Sequence, residues 1–418
     1  MVALYRFAAL RPEHSKSAVI PSVPYDVVST EEAREALRIN PDSFFRVIRS
    51  DALLPGLAPD DGRVYETAQK NFNDMVAAGL FVRDQKPGMY IYRVKQGGAI
   101  YTGLVACPSV TDYAENRIRR HEHTRYDKEE DRTRHIDATN AHTGLVVLLY
   151  RDTGDIFDYL ASIVPDREPD AWVKTGQGVV HEIFCITDEE VLARIEEMFA
   201  GVDALYIADG HHRAKSAVTV AERRRNLGTY TPGAGMFMAI LFAENRVRIH
   251  GYSRLVTDLG SYTPESFLHR LADFFDVKPY GEIDDTVVCI PPLRESHVPV
   301  HIVHMYLGGV WYELSRPVAN PNDPVDSLDV AMLQETVMEG LLGISDPRGD
   351  PRLQYLGGAR PLADLQQKVD SGEFAVAFSM QPVPISTVLS IADRGRVMPP
   401  KSTWFEPKLL SGLVVHTL

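Results

Sequence analysis

The 418-residue chain has little cysteine: Cys107, Cys185 and Cys289 are widely spaced and odd in number, a poor framework for disulfides or for a four-ligand zinc site. They read as buried thiols in a reducing compartment. Positive charge is also short. With 44 Lys+Arg against 57 Asp+Glu the formal net charge is −13, so the surface as a whole repels polyanions and any phosphate site must be a local basic pocket. No run approaches the roughly 18 apolar residues that a membrane span needs. The N-terminal MVALYRFAALRPEHS has Arg6 inside its only apolar stretch and offers neither an h-region nor a cleavage site, so no signal peptide is expected. Internal repeats and low-complexity tracts are missing too. Nucleic acid and membrane therefore drop out as expected partners, and the expected location is the cytoplasm.

What is present is an ordinary balance of 44% hydrophobic and 24% charged residues, with apolar material for two or three domains at about 150 residues each. The pattern divides into an N-terminal α/β domain (1–110), a middle region (111–255) and a C-terminal α/β region (256–418). In the first, Ser29-Thr30-Glu31-Glu32 is an N-cap followed by acids, FFRVIRS (44–50) reads as a strand, and Val64 to Leu80 as an amphipathic helix. GMYIYRVKQGGAIYTGLVACPSV (88–110) alternates around Gly97-Gly98, a hairpin signature. In the second, the 24 residues from Arg119 to His142 hold 12 charged side chains and four of the 14 histidines. Strands are expected at 144–152, in VVHEIFCITD, in DALYIADG and in GMFMAILFAENRVRIHGYSRLV, with helices over 188–199 and 213–227. The third is expected to place helices near 264–275, 328–342 and 361–370 and strands in VPVHIVHMYL, VWYELS and EFAVAFSM. Strands alternating with helices argue for an α/β (α+β) fold.

Three patches are polar where a bland domain would be apolar. The first runs from His121-Glu122-His123 to His142. If 128–142 is helical, Lys128, Arg132, His135 and Thr139 form one basic, hydrogen-bonding stripe suited to a polyphosphate; the plain alternative is a solvated helix laced with ion pairs. The second is Tyr206-Ile207-Ala208-Asp209-Gly210-His211-His212-Arg213. Here an apolar strand runs through Asp-Gly into a helix whose first turn is cationic, the wrong sign for the macrodipole. The conflict resolves if an outside anion docks on the free N–H groups, with Gly210 letting the backbone come close. The third is Met398-Pro399-Pro400-Lys401-Ser402-Thr403-Trp404-Phe405-Glu406-Pro407-Lys408, where prolines hold an extended segment that presents Lys401, Ser402 and Thr403 as adjacent donors; an ordinary proline-rich tail is the plain alternative. A P-loop, a dinucleotide fingerprint and H-E-x-x-H all fail on spacing, and Ser216 lies in no nucleophile elbow.

PYDVVSTEEA, the HExT-x-x-x-K-x-D-R segment, IADGHHR, LDVAMLQETVMEGLLGI and MPPKSTWFEPKLLSGL, in that order, resemble the family of domain of unknown function 1015 over essentially the whole chain. The His-Glu, Asp-Gly-His-His-Arg and Pro-Lys-Ser-Thr motifs are also similar to those of the free serine kinases of the ParB/sulfiredoxin-like superfamily, which make O-phospho-L-serine. That resemblance implies a ParB/sulfiredoxin-like phosphate-binding core with an added N-terminal domain and a C-terminal region closing the site. It implies Glu122 as the base for the serine hydroxyl, His121 as its orienter, and Asp209 as holder of substrate or of Mg²⁺. Gly210, His211, His212 and Arg213 would grip the phosphates, and Lys401, Ser402 and Thr403 would close over the transferred group or the serine. The basic stripe of Lys128, Arg132 and His135 is assigned to the donor by charge and period. The implied donor is ATP, ADP or pyrophosphate, the implied partner a small molecule such as L-serine, and a homo-oligomer is left open. The competing reading is a non-catalytic nucleotide or phosphometabolite sensor; a ParB-like DNA-binding module is disfavoured by the charge.

Overall fold

The computed structural model describes residues 2–284, 286–293 and 296–418. The chain forms two compact units. The first consists of the stretches up to Arg120, Thr124–Val247 and Pro407–Leu418; the second of His121–His123 and Arg248–Glu406.

The first unit is built on a nine-stranded mixed sheet. Its order is Ile118–Arg119, Leu205–Asp209, Val146–Tyr150, Ala239–Ala243, Ala99–Pro108, Met89–Gln96, Val180–Ile186 and Ala171–Lys174, with Leu4–Tyr5 also paired to Ala99–Pro108. Two pairings are parallel, Leu205–Asp209 with Ile118–Arg119 and Ala239–Ala243 with Val146–Tyr150. Because Ala99–Pro108 pairs with Ala239–Ala243, the expected boundary at residue 110 does not divide this sheet. The hairpin at Gly97-Gly98 is as expected, both residues having positive φ (56° and 78°), which a two-residue turn of right-handed twist demands. Helix Thr30–Ile39 begins with a complete capping box: Ser29 Oγ accepts from Glu32 N, and Glu32 Oε2 accepts from Ser29 N at 2.7 Å.

One expectation is overturned here. The stretch 44–50 is a helical turn, Phe45–Ile48, followed by a 3₁₀ turn, Ser50–Leu53, and not a strand. A short apolar run fits either state, and packing decides. Phe44, Phe45, Val47 and Ile48 are all buried, with Phe44 edge-on to Phe72 and Phe81 at 6.3 and 5.7 Å.

The second unit is a six-stranded antiparallel sheet in the order Asp276–Pro279, Val310–Pro317, Val300–Leu307, Val376–Ser379, Tyr252–Val256 and Leu353–Gly357. A ribbon of Arg248–His250 with Trp404–Glu406 belongs to the same unit. The expected helix over 328–342 is α-helical only for Asp329–Leu333 and widens into a π-helical stretch, Gln334–Glu339. Helix Ile385–Asp393 was not anticipated. Among the described residues, no helix is long and apolar enough to cross a membrane.

Candidate functional site

In the first unit, strand Leu205–Asp209 pairs with Val146–Tyr150, but its register slips between Ile207 and Asp209. The extra residue is a bulge, the device that re-aims a strand's last side chain. Gly210 follows in the left-handed region (φ 89°, ψ 31°), and helix His211–Leu227 starts at once, with no side chain capping it and no acid in its first turn. Its last turn carries Arg224 and Arg225, the sign the dipole prefers at that end; the first turn breaks the rule that the last obeys.

The Arg213 guanidinium folds back over this turn. Its Nη1 donates to the carbonyl of Leu145 and its Nη2 lies 3.4 Å from Asp209 Oδ2, while a Cβ on Gly210 would come within 3.0 Å of Arg213 Nε. Glycine is needed there twice over, for its φ and for this approach. Lys408 Nζ also stands 3.5 Å from Asp209 Oδ2, and Asp209 Oδ1 accepts from Gly210 N at 3.0 Å. Both ion pairs are long for charge-assisted hydrogen bonds, which run at about 2.7–2.9 Å. Lys408 is held in place by its flanks: Ser22 and Ser411 exchange backbone hydrogen bonds, and Leu410 N donates to the buried hydroxyl of Tyr92.

His212 Nε2 accepts from the backbone N–H of Arg125 at 3.0 Å, an acceptor role that places the proton of the neutral ring on Nδ1. That bond ties the start of helix Tyr126–Thr139 to the start of helix His211–Leu227. Further along, Ser216 Oγ donates to the carbonyl of Glu129, Thr219 bonds the Glu129 carboxylate, and Arg223 pairs with Glu130 at 2.6 Å.

The predicted stripe is real as a helix face, but that face does not carry free charge throughout. Lys128 is exposed. Arg132 stacks 4.2 Å from the centroid of the Tyr25 ring and pairs with Asp131 at 2.7 Å. His135 is buried, hydrogen-bonded to the carbonyl of Val47 at 3.1 Å. Burial, with Arg132 adding to it, pushes its pKa down to about 4, so at neutral pH it is an uncharged packing residue, not a phosphate ligand. Thr139 is buried too and bonds back to the carbonyl of His135. Tyr25, in the PYDVVSTEEA motif, is not among the residues that the sequence singles out. Burial, then the charge of Asp26, raises its hydroxyl to about 12 against the opposing pull of Arg132 and Arg213.

In the second unit, His121 and Phe405 lie with ring centroids 6.2 Å apart, and the carbonyl of His121 accepts from Met398 N at 2.8 Å. Glu122 is half-buried, and its charge acts on Tyr355. Lys401 is, among the described residues, one of three non-glycines with positive φ (55°); its Nζ sits 5.3 Å from the centroid of Tyr252. Ser402 Oγ is buried and donates to the carbonyl of Pro399 at 2.6 Å, and Thr403 is half-buried. Each unit thus collects part of the predicted set: Asp209, Gly210, His211, His212 and Arg213 in the first, His121, Glu122, Lys401, Ser402 and Thr403 in the second. Lys408, at the end of the third patch, joins the first group and is not among the predicted site residues.

Asp209 does not suit a resident Mg²⁺. One of its oxygens faces two cations and the other accepts a backbone N–H, and among the described residues no group of three His, Cys, Asp or Glu side chains converges as metal ligands would.

A family profile described as "Protein of unknown function (DUF1015)" matches residues 4–331. Comparison with curated proteins finds no match. Among solved structures, the chain is similar to a free serine kinase mutant in complex with AMP, at 11% identity over 70% of this chain and 86% of that one, with a TM-score of 0.35. It is also similar to a C-terminally truncated SbnI from Staphylococcus aureus, at 12% identity over 73% and 85% with a TM-score of 0.38. A conserved hypothetical protein from Pyrococcus furiosus matches at 12% identity over 70% and 88%, with a TM-score of 0.33.

Proposed function

The chain belongs to the DUF1015 family, and from that premise we propose that it is a small-molecule phosphotransferase with an alcohol as acceptor, L-serine being the first candidate. The observation that carries the reading is the uncapped start of helix His211–Leu227, where Arg213 and Lys408 flank the carboxylate of Asp209 at 3.4 and 3.5 Å. A polyphosphate there gains backbone N–H groups and two cations. Phosphoryl transfer asks for this kind of neutralisation and positioning more than for covalent chemistry. Mg²⁺ enters as part of the metal–polyphosphate substrate, ATP, ADP or pyrophosphate, and not as a resident ion. Gly210, His211, His212 and Arg213 hold the donor, with Lys128 and Arg132 adding positive potential.

Glu122 is the proposed base, accepting the proton of the acceptor hydroxyl, with His121 orienting it. Lys401, Ser402 and Thr403 are proposed to bind the acceptor or the transferred group. The fold proposed for this machinery is a ParB/sulfiredoxin-like core.

Phosphorus NMR tests the reading: purified protein with L-serine, Mg²⁺ and, in separate tubes, ATP, ADP and pyrophosphate should give a new phosphomonoester signal with at least one donor. Silence in all three tubes, with polyphosphate binding intact by calorimetry, would move the reading to a sensor.

A further inference from the structure

We propose that the second unit has an oxyanion site of its own, at Arg254, and that it receives the carboxylate of the small-molecule acceptor. Arg254 lies mid-strand in Tyr252–Val256, between Tyr355 of one neighbouring strand and Phe378 of the other. An interior strand position flanked by aromatics ordinarily takes an apolar residue. Instead it holds a guanidinium that is 4% exposed. Nη1 donates to the carbonyl of Tyr252, and the group lies 5.3 Å from the centroid of Tyr355. Among the described residues it makes no ion pair with any carboxylate, and one acceptor serves a group with five N–H donors. A neutral carbonyl and one aromatic face do not offset the cost of burying a full charge. The imbalance is visible in its titration, which burial lowers to about 10.

The surroundings form a cradle. Tyr252 and Tyr355 meet edge to face at 6.5 Å, and Trp404 stands 5.4 Å from Tyr252. Gly357, opposite Tyr252 in the sheet, leaves room for both: a Cβ there would fall 2.3 Å from Trp404 Cε3 and 2.4 Å from Tyr252 Cε1. At the far side of Tyr252 the Lys401 ammonium rests on the ring, on a backbone in the left-handed region. A buried guanidinium among three aromatic rings favours a small anion with an apolar or ring-contacting body. The planar fork of arginine matches the two oxygens of a carboxylate. A transferase needs a handle for its acceptor besides the grip on its donor. This assignment of the handle rests on the transferase reading given above.

The test is calorimetric titration of L-serine, L-lactate, serinol and inorganic phosphate into the intact chain and into Arg254→Met and Arg254→Lys. Serine and lactate should bind the wild type at least tenfold more tightly than serinol, which lacks the carboxylate. Arg254→Met should lose that binding by tenfold or more, with Arg254→Lys in between. The melting temperature of unliganded Arg254→Met should be no lower than that of the wild type, because an uncompensated charge has been removed; a residue of purely structural use would lower it. Should Arg254→Met fail to fold, Arg254→Lys, which keeps the charge without the fork, carries the comparison. Carboxylate affinity that ignores both substitutions, no carboxylate binding to the wild type, or inorganic phosphate outcompeting carboxylates at this residue would each overturn the assignment. Arg254-dependent carboxylate binding without any phosphomonoester product would leave the site standing and remove the transferase reading instead.

Discussion

The two units handle their cations in opposite ways. In the first, Arg213 and Lys408 share Asp209, and Arg132 has Asp131; in the second, Arg254 and Lys401 rest against Tyr355 and Tyr252 without an ion pair to a carboxylate among the described residues. A cation that already has a carboxylate can be kept in place without ligand and released to a stronger anion. A buried one with an aromatic face and no carboxylate, as Arg254 is, remains a standing cost until an anion arrives. On the reading proposed above, the first unit holds a polyphosphate at a preformed helix start and the second responds to a small anion. They also differ in buried histidines. His135, His142, His181 and His416 of the first unit are held at about 4, 3, 4 and 4, in each case chiefly by burial; in the second, burial likewise lowers His304 to about 4.

The largest expected effect separates the units by acid. A histidine whose folded pKa is depressed stays neutral in the folded state while the unfolded chain takes up protons below about 6.5, so stability is intact above that pH and falls as pH drops toward 4. Each such group costs about 1.4 kcal/mol per pH unit in that window, and four of them about 5–6 kcal/mol. Hydrogen exchange followed by mass spectrometry at pH 7.5 and 5 should show protection lost first around residues 141–142, 180–186 and 415–417 of the first unit; equal loss across both units would contradict the contrast.

Next in size, Glu122→Gln should lower turnover by about 10²–10⁴-fold, the range for a positioned general base, with donor affinity changed by no more than a few-fold. Steady-state rates paired with donor titration check this, and undiminished turnover would discard Glu122 as the base. Gly210→Ala should be smaller still, about 1–3 kcal/mol of backbone strain and crowding against Arg213, read as a lower melting temperature together with weaker polyphosphate binding. Unaltered melting would mean that the left-handed turn is not held as described. Lys408→Met should weaken donor binding by about 1.5–3 kcal/mol, the value of one charged hydrogen bond, measured by calorimetry at constant ionic strength.

Much of the secondary structure was legible because period and punctuation agreed. The capping box at Ser29, the Gly97-Gly98 hairpin and the helix beginning at Asp-Gly-His-His-Arg each combine a local signal with a matching apolar pattern. The stretch at Phe44 was not legible, since the four apolar residues of FFRVI, two on each side of Arg46, carry no period that distinguishes strand from helix. The stripe at Lys128, Arg132 and His135 teaches a related point: spacing identified the face, but not that Tyr25 and Val47 would cover it. At the candidate site, the cationic first turn was readable as a conflict of sign with the helix dipole. Lys408 was less so, because what brings it to Asp209 is the pairing of Ser411 with Ser22, far away in sequence. Arg254 was hidden for another reason: in an alternating strand, an arginine on the covered face looks the same as one on the open face until the neighbouring strands are known.

The most direct test of the central claim is calorimetric titration of pyrophosphate into the wild type and Arg213→Ala. The account predicts that the wild type binds and that the substitution weakens binding by about 2–4 kcal/mol, the cost of leaving a buried phosphate partner unpaired. Equal affinities would contradict the assignment of the helix start at Gly210 to Arg213 as the polyphosphate site.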